Sequence, residues 1–421
     1  MIAEAARSFD GIVINHLCAQ TTLQGNIELL SKSICDGLNL PAIHFETLID
    51  LFTFVSNLNR RILIILDEYS YMKESGRKNE VDSYMQAVID RLSDHVKLIL
   101  CGSYITVMTE LLEQDNPLFG RFTEIIHLDA FDYYEAADFF PDLDIRSKIT
   151  TYAVFGGSPY VLSLLNPKIS VRENIIRLLL PPTGIIRIYI ENVILNEIRK
   201  AYDIRILQAI GNGKKRYSEL NDFLSGTNNG LLDKQLKILI NMETIRKTFP
   251  INRPNDKKKQ FYEISDNLLR FYFTYIFNRE SQIYRLGEES FYESNIEPSL
   301  NQFVSRRFEQ IVMQYFRRKS ILRQLTDIRD YGTYWYDNPK THQNGEFDCV
   351  LQRTEGYDFI ECKYYTRPMT LDECRQEEEQ LSLIEGIKCR KIGFACSAGF
   401  DFHTDRYELI SGEDLFSETL R

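Results

Sequence analysis

The order of apolar and polar positions along the chain changes period several times, and each change marks an element. GIVINHL (residues 11–17) reads as a short buried strand, and LQGNIELLSKSICDGL after it puts Ile27, Leu30, Ile34 and Leu38 on one helical face. A second helix is predicted over HFETLIDLFTFVSNL. RILIILDEYS runs through β-branched residues and leucines into two acids, the pattern of a central parallel strand covered on both faces. A helix through VDSYMQAVIDRLSD leads to VKLILCGSYI, another buried strand, ending at Gly102 and Ser103. Strands alternating with helices predict an α/β fold on a parallel sheet. TEIIHLDAF (123–131) is predicted as one more strand. Helices over FDYYEAADFF, IRSKITTYAVF and the GGSPYVLSLL turn-plus-helix are predicted to form a lid.

From about residue 197 the pattern becomes helices at short spacing: LNEIRKAYDIRILQAIGN, YSELNDFLS and NGLLDKQLKILINMETI, then a polar basic loop and KQFYEIS. That order predicts a winged helix, with Asn228, Asn229 and Gly230 placed where the third helix needs a cap. LLRFYFTYIF completes this region. The amphipathic SLNQFVSRRFEQIVMQYFRRK follows, then the strand-like YGTYWYD, EFDCVLQ, YDFIECKYY and KIGFACSAGF, with a helix before the last.

Length and composition narrow this picture. At 421 residues the chain is expected to hold two to three domains at roughly 150 residues each. A hydrophobic fraction of 44% with 26% charged residues is ordinary for a globular chain and excludes a disordered or collagen-like one. No apolar run reaches the roughly 18 residues of a membrane span, and the first residues lack a secretory signal, so the expected compartment is the cytoplasm. The 8 cysteines form no C-x-x-C pair and read as reduced thiols. A net charge of -10 argues against coating nucleic acid by bulk positive charge and leaves local patches to do so, at Lys214–Arg216, Lys257–Lys259 and Arg317–Lys319.

Three constellations carry candidate chemistry. In the first, Asp67 and Glu68 end a buried strand as a Walker B element does, one acid placed for a nucleotide-bound Mg²⁺ and the next for an attacking water. Ser103 ends the following strand in the position of a polar sensor. Arg121, in NPLFGRF, reads equally as an arginine stabilising phosphoryl charge, in cis or across a subunit interface, and as half of a surface ion pair. A P-loop string G-x-x-x-x-G-K-[ST] is absent, and residues 1–10 read as the tail of a helix that would follow one, so the chain is expected to begin inside this domain.

In the second, a turn at Glu355-Gly356 brings Asp348 beside Glu361, and strand alternation puts Glu361 and Lys363 on one face. Asp348 and Glu361 are then metal-ligand candidates and Lys363 a charge stabiliser, with Glu309 on the preceding helix as a fourth member and Gln380 as a weaker candidate. The plain alternative is an exposed cross-strand ion pair. The third is the winged helix, where Lys234, Gln235 and Lys237 on its third helix and Arg253 with Lys257–Lys259 on its wing suit phosphate contacts. Such modules also serve as plain protein-interaction surfaces.

The order ILIILDEYSYM, KLILCGSYITVM, NPLFGRF, FGGSPYVL, ISDNLLRFYF, RRFEQIV, GEFDCV and FIECKYY resembles the archaeal-type P-loop ATPases of the AAA+/STAND kind that carry a C-terminal domain similar to PD-(D/E)xK nucleases. The resemblance implies a truncated ATPase core over 1–135, a lid over 136–196, a winged helix over 197–280 and a restriction-endonuclease-like α/β domain over 281–421. It implies Walker B roles for Asp67 and Glu68, a metal at Asp67, a sensor at Ser103, the family arginine at Arg121, and a lid turn at Gly156, Gly157 and Pro159. Glu309, Asp348, Glu361 and Lys363 match the nuclease-like core. Mg²⁺ and ATP are the cofactors it implies, with DNA and further copies of the chain as partners. The missing P-loop sets ATP apart from the other expectations, and a regulatory or scaffold protein without catalysis stays open beside the enzyme.

Overall fold

A computed structural model describes residues 2–103, 105–195, 203–224, 229–338, 343–382 and 386–421. The chain forms two compact units, Met1–Leu128 and Asp129–Arg421.

In the first unit, β1 (Ile12–Leu17), β2 (Ile62–Asp67) and β3 (Val96–Leu100) form a parallel sheet in the order β1-β2-β3, in register Ile14↔Ile64 and Ile64↔Leu98. The central position of β2 follows from its sequence. Ile62, Ile64 and Leu66 pack into the larger core, while Leu63 and Ile65 face a smaller cluster with Ala6 and Phe9, so five consecutive apolar residues are buried. Helix α1 (Leu23–Gly37) buries the predicted stripe of Ile27, Leu30 and Ile34, and the Thr22 hydroxyl accepts from the Gly25 N–H as its N-cap. Helices α2 (Leu48–Asn57) and α3 (Glu80–Ile89) complete the core around Phe52, Val55, Met85 and Val88.

The strand predicted over TEIIHLDAF does not form. Its residues have no ladder partner, and Ile125, Ile126 and Leu128 are exposed. Their apolar, β-branched character mimics a strand, yet a strand exists only where a neighbour accepts its backbone hydrogen bonds.

The second unit opens with helices. Among them α4 (Ile145–Phe155) is capped by Asp144 and ends at Gly156, whose φ of 70° is the left-handed conformation that glycine adopts without strain. Gly157 lies against the Phe131 carbonyl, where a Cβ would sit 1.8 Å from the oxygen, so no larger residue fits. After short helices over Pro159–Leu164, Val171–Leu179 and Ile185–Tyr189 come α5 (Arg205–Gly211), α6 (Tyr217–Phe223) and α7 (Asn229–Asn241), then the antiparallel pair β4 (Ile245–Thr248) and β5 (Phe261–Ile264), then α8 (Asn267–Tyr275). Residues 196–202 and Asn228, part of the predicted first helix and cap, lie outside the described residues.

Helix α9 (Glu297–Ile321) buries Phe303, Val304, Phe308, Ile311, Val312, Tyr315 and Phe316, a one-sided stripe at helical spacing. It precedes a five-stranded sheet of β6 (Ile328–Asn338), β7 (Gln343–Arg353), β8 (Gly356–Lys363), β9 (Cys389–Cys396) and β10 (Glu408–Ser411), ordered β10-β9-β8-β7-β6. β6, β7 and β8 are antiparallel, whereas β9 joins β8 in parallel after crossing over through α10 (Leu371–Ser382). The polar loop between β4 and β5 docks on β6: Ile251 N–H donates to the Thr333 carbonyl at 2.8 Å, and the Asn252 amide pairs with both backbone groups of Trp335 at 2.7 and 3.0 Å.

Candidate active site

The strand ends of the first unit bring three of the predicted residues together. Asp67 closes β2 and accepts hydrogen bonds from the Glu68 N–H at 3.1 Å and the Cys101 thiol at 3.3 Å. Glu68 is held in the left-handed conformation at φ 51°, and its carboxylate accepts from the Ser103 hydroxyl at 3.1 Å and the Ser103 N–H at 3.4 Å. Burial, followed by the charges of Asp67 and Glu68, pushes the Cys18 thiol up to about 12. Arg121 makes a bidentate ion pair with Asp90 at 2.9 and 3.1 Å and donates to the Pro117 carbonyl, so its guanidinium is engaged on the surface.

Sequence reasoning missed the buried polar network beneath this site. Asp82, fully buried on α3, accepts from Tyr69 at 3.0 Å and Asn116 at 2.8 Å and pairs with Lys73 at 3.1 Å. The strand ends offer two carboxylates and a serine, and the sequence holds no P-loop string. A triphosphate repels carboxylates unless a lysine or a cation stands between, so these residues alone do not fit ATP.

The second unit assembles the other candidates on β7, β8 and α9. The hairpin register Cys349↔Ile360 makes Asp348 and Glu361 the next facing positions, as the turn at Glu355 requires. Lys363, two residues on and on the same face of β8, extends its ammonium to Glu361 at 2.9 Å and to Glu377 at 2.7 Å. Glu377, which the sequence did not single out, completes this ion-pair cluster. It comes from α10 within the run Glu377-Glu378-Glu379, where periodicity alone favours no member. The side chain of Gln380 lies outside the described residues.

The electrostatics show a site with more negative charge than it can comfortably hold. Burial, then the charge of Asp348, raises the Glu309 carboxyl to about 8. Burial, then Glu361 and Glu346, raises Asp348 to about 7. Burial raises Glu361 as well, opposed by Lys363. For Lys363, burial pulls the other way, but Glu361 and Glu377 outweigh it and the ammonium is held charged. A hard divalent cation fits this oxygen donor set, since Mg²⁺ commonly uses one or two carboxylates and keeps the rest of its shell as water. Three of these carboxylate oxygens do not close to within 4.8 Å of one another among the described residues, so the protein would complete the site with side-chain adjustment or water.

A buried clamp holds the hairpin. Asp358, fully buried on β8, accepts from Arg353 at 2.7 Å and from Arg390 of β9 at 2.7 Å, and Arg353 reaches on to Asp327 and the Thr326 carbonyl. On α7, Leu232, Leu236 and Leu239 face inward and leave Lys234 and Lys237 exposed. Arg253, Lys257 and Lys258 are exposed on the β4–β5 loop, and Lys259 stacks over Trp335 with its Nζ 3.3 Å from the ring centre. No helix among the described residues is long and apolar enough to cross a membrane.

Residues 272–378 match the model of a family described as archaeal and bacterial proteins of unknown function (DUF234). An uncharacterized protein of Methanocaldococcus jannaschii is 27% identical over 295 residues, which span 68% of this chain and 64% of that protein. Among solved structures, a Walker-type ATPase of Pyrococcus abyssi is similar at TM-score 0.47 and 17% identity, covering 62% of this chain and 83% of that one. The Aeropyrum pernix ORC2 protein is similar at TM-score 0.43 and 14% identity, covering 68% of this chain and 82% of that one. These likenesses are partial, and none of them assigns an activity to this chain.

Proposed function

We propose that the second unit is a divalent-metal-dependent phosphodiesterase acting on DNA, with a nuclease-like core of α9, β7, β8 and α10. The observation that carries this reading is the Lys363 ammonium held between Glu361 and Glu377 beside two carboxyls, Asp348 and Glu309, raised by burial and mutual repulsion. A surface ion pair between strands has no reason to gather four acids around one lysine in a partly buried site.

Asp348 and Glu361 would hold Mg²⁺, which supplies Lewis-acid polarisation of a phosphoryl oxygen and acidifies bound water. Lys363 places a fixed positive charge where negative charge develops on the phosphodiester, and Glu377 keeps that ammonium oriented. Glu309, whose carboxyl is pushed up by burial and by the charge of Asp348, would hold a proton for exchange with solvent or leaving group. The exposed cations of α7 and the β4–β5 loop would grip the DNA backbone, with the α5–β5 region acting as a winged helix. The test is cleavage of duplex DNA in Mg²⁺ by the parent and by Lys363→Ala. The variant is expected to fold and to lose about 10²- to 10³-fold in rate, the cost of removing one preorganised charge stabiliser. Cleavage by the variant at the parent rate sinks the assignment.

A further inference from the structure

A second polar site lies on the same helix as Glu309, close enough for Arg306 and Arg307 to act on that carboxyl electrostatically. A cavity of about 190 Å³ opens between α5, α8 and α9, lined on one side by Lys215, Arg270, Arg306 and Arg307. The cavity has room for a small anion and part of its hydration. Four cations line it against one carboxylate, Glu263.

That carboxylate is already shared, by Lys215 at 3.2 Å, Arg246 at 3.2 Å and Arg270 at 3.3 Å. Arg270 also donates to the Ile264 carbonyl. Arg307 is left over. It is 5% exposed, its guanidinium lies over the Phe303 ring, its Nε has no hydrogen-bond partner, and no carboxylate is within ion-pair distance among the described residues. Its buried Nε–H is therefore a hydrogen-bond donor in want of an acceptor, and the charges of Glu263 and Glu309 act on it without an ion pair. Arg306 adds an exposed cation at the rim.

We propose that this cavity binds a phosphate group, carried by free phosphate or by the tip of a small phosphorylated molecule. Arg307 forms the floor of the site, Lys215 and Arg270 its wall and Arg306 its mouth. A tetrahedral oxyanion matches the forked donors of arginine and supplies the acceptor that Arg307 Nε lacks. The proposal stands independently of metal binding or DNA cleavage.

The experiment follows the unfolding temperature and calorimetric binding of the full chain in inorganic phosphate, in a nucleoside 5′-monophosphate, and in chloride at matched ionic strength. Phosphate is expected to stabilise the parent beyond chloride. Arg307→Met and the exposed-site variant Arg306→Gln should each weaken phosphate binding by about tenfold or more, the scale of one charge-assisted hydrogen bond. Arg307→Met should also match or exceed the parent's stability without ligand, because it removes a buried unpaired charge at similar volume. Tighter binding of the monophosphate than of phosphate assigns the group to a nucleotide, and equal binding to the free anion. No stabilisation beyond chloride, or an unchanged response in both variants, overturns the proposal.

Discussion

At the residue scale the cluster on β7 and β8 makes a prediction about pH. Burial raises Glu309 and Asp348 above their unfolded values, so the folded chain binds more protons than the unfolded chain from the ordinary carboxylate range upward. Stability from this cluster is therefore full below the ordinary carboxylate range and falls as pH rises from there through about 7 and about 8. A divalent ion binds the ionised form and opposes the loss. Thermal unfolding at about pH 5.5 and about pH 8.5 should show Mg²⁺ or Mn²⁺ stabilising the chain at the higher pH and much less at the lower. Glu309→Gln should flatten the fall seen without metal. A metal response equal at both pH values would mean that these carboxyls are not the ligands.

Single elements explain how much of this was legible in the sequence. Asp348, Glu361 and Lys363 could be read together because a strand repeats every two residues and the turn at Glu355-Gly356 fixes the register. Glu377 could not, because a run of three acids on a helix looks like any solvated face. β2 was legible since both its faces are buried. TEIIHLDAF had the right residue types and no strand beside it to form a ladder, and the four residues of β10 were too few to show a period. The Arg353–Asp358–Arg390 clamp was also invisible, since nothing in a sequence says that a charged residue on a strand faces inward. Asp358→Asn should lower stability by about 3–5 kcal/mol, because Arg353 and Arg390 lose the buried carboxylate they share and Arg353 keeps only the half-exposed Asp327. Urea unfolding measures this, and a loss under about 1 kcal/mol would show that the clamp is solvated.

At the scale of the whole molecule, the chain is two units with separate chemistry: strand-end acids in Met1–Leu128, and the carboxylate–lysine cluster with the cationic cavity in Asp129–Arg421. The junction runs through residues 123–131, an irregular stretch with Ile125, Ile126 and Leu128 exposed. Limited chymotrypsin digestion should cut there first and release two protected fragments. First cuts inside β2 or α9 would contradict the division.

The most direct test of the central claim is nicking of supercoiled DNA by the full chain, measured against Mg²⁺ concentration for the parent and for Asp348→Asn. Activity that requires the ion, stops with a chelator and vanishes in the variant is the predicted result. A parent chain that leaves the DNA intact in both Mg²⁺ and Mn²⁺, or a variant that nicks as fast as the parent, would contradict it.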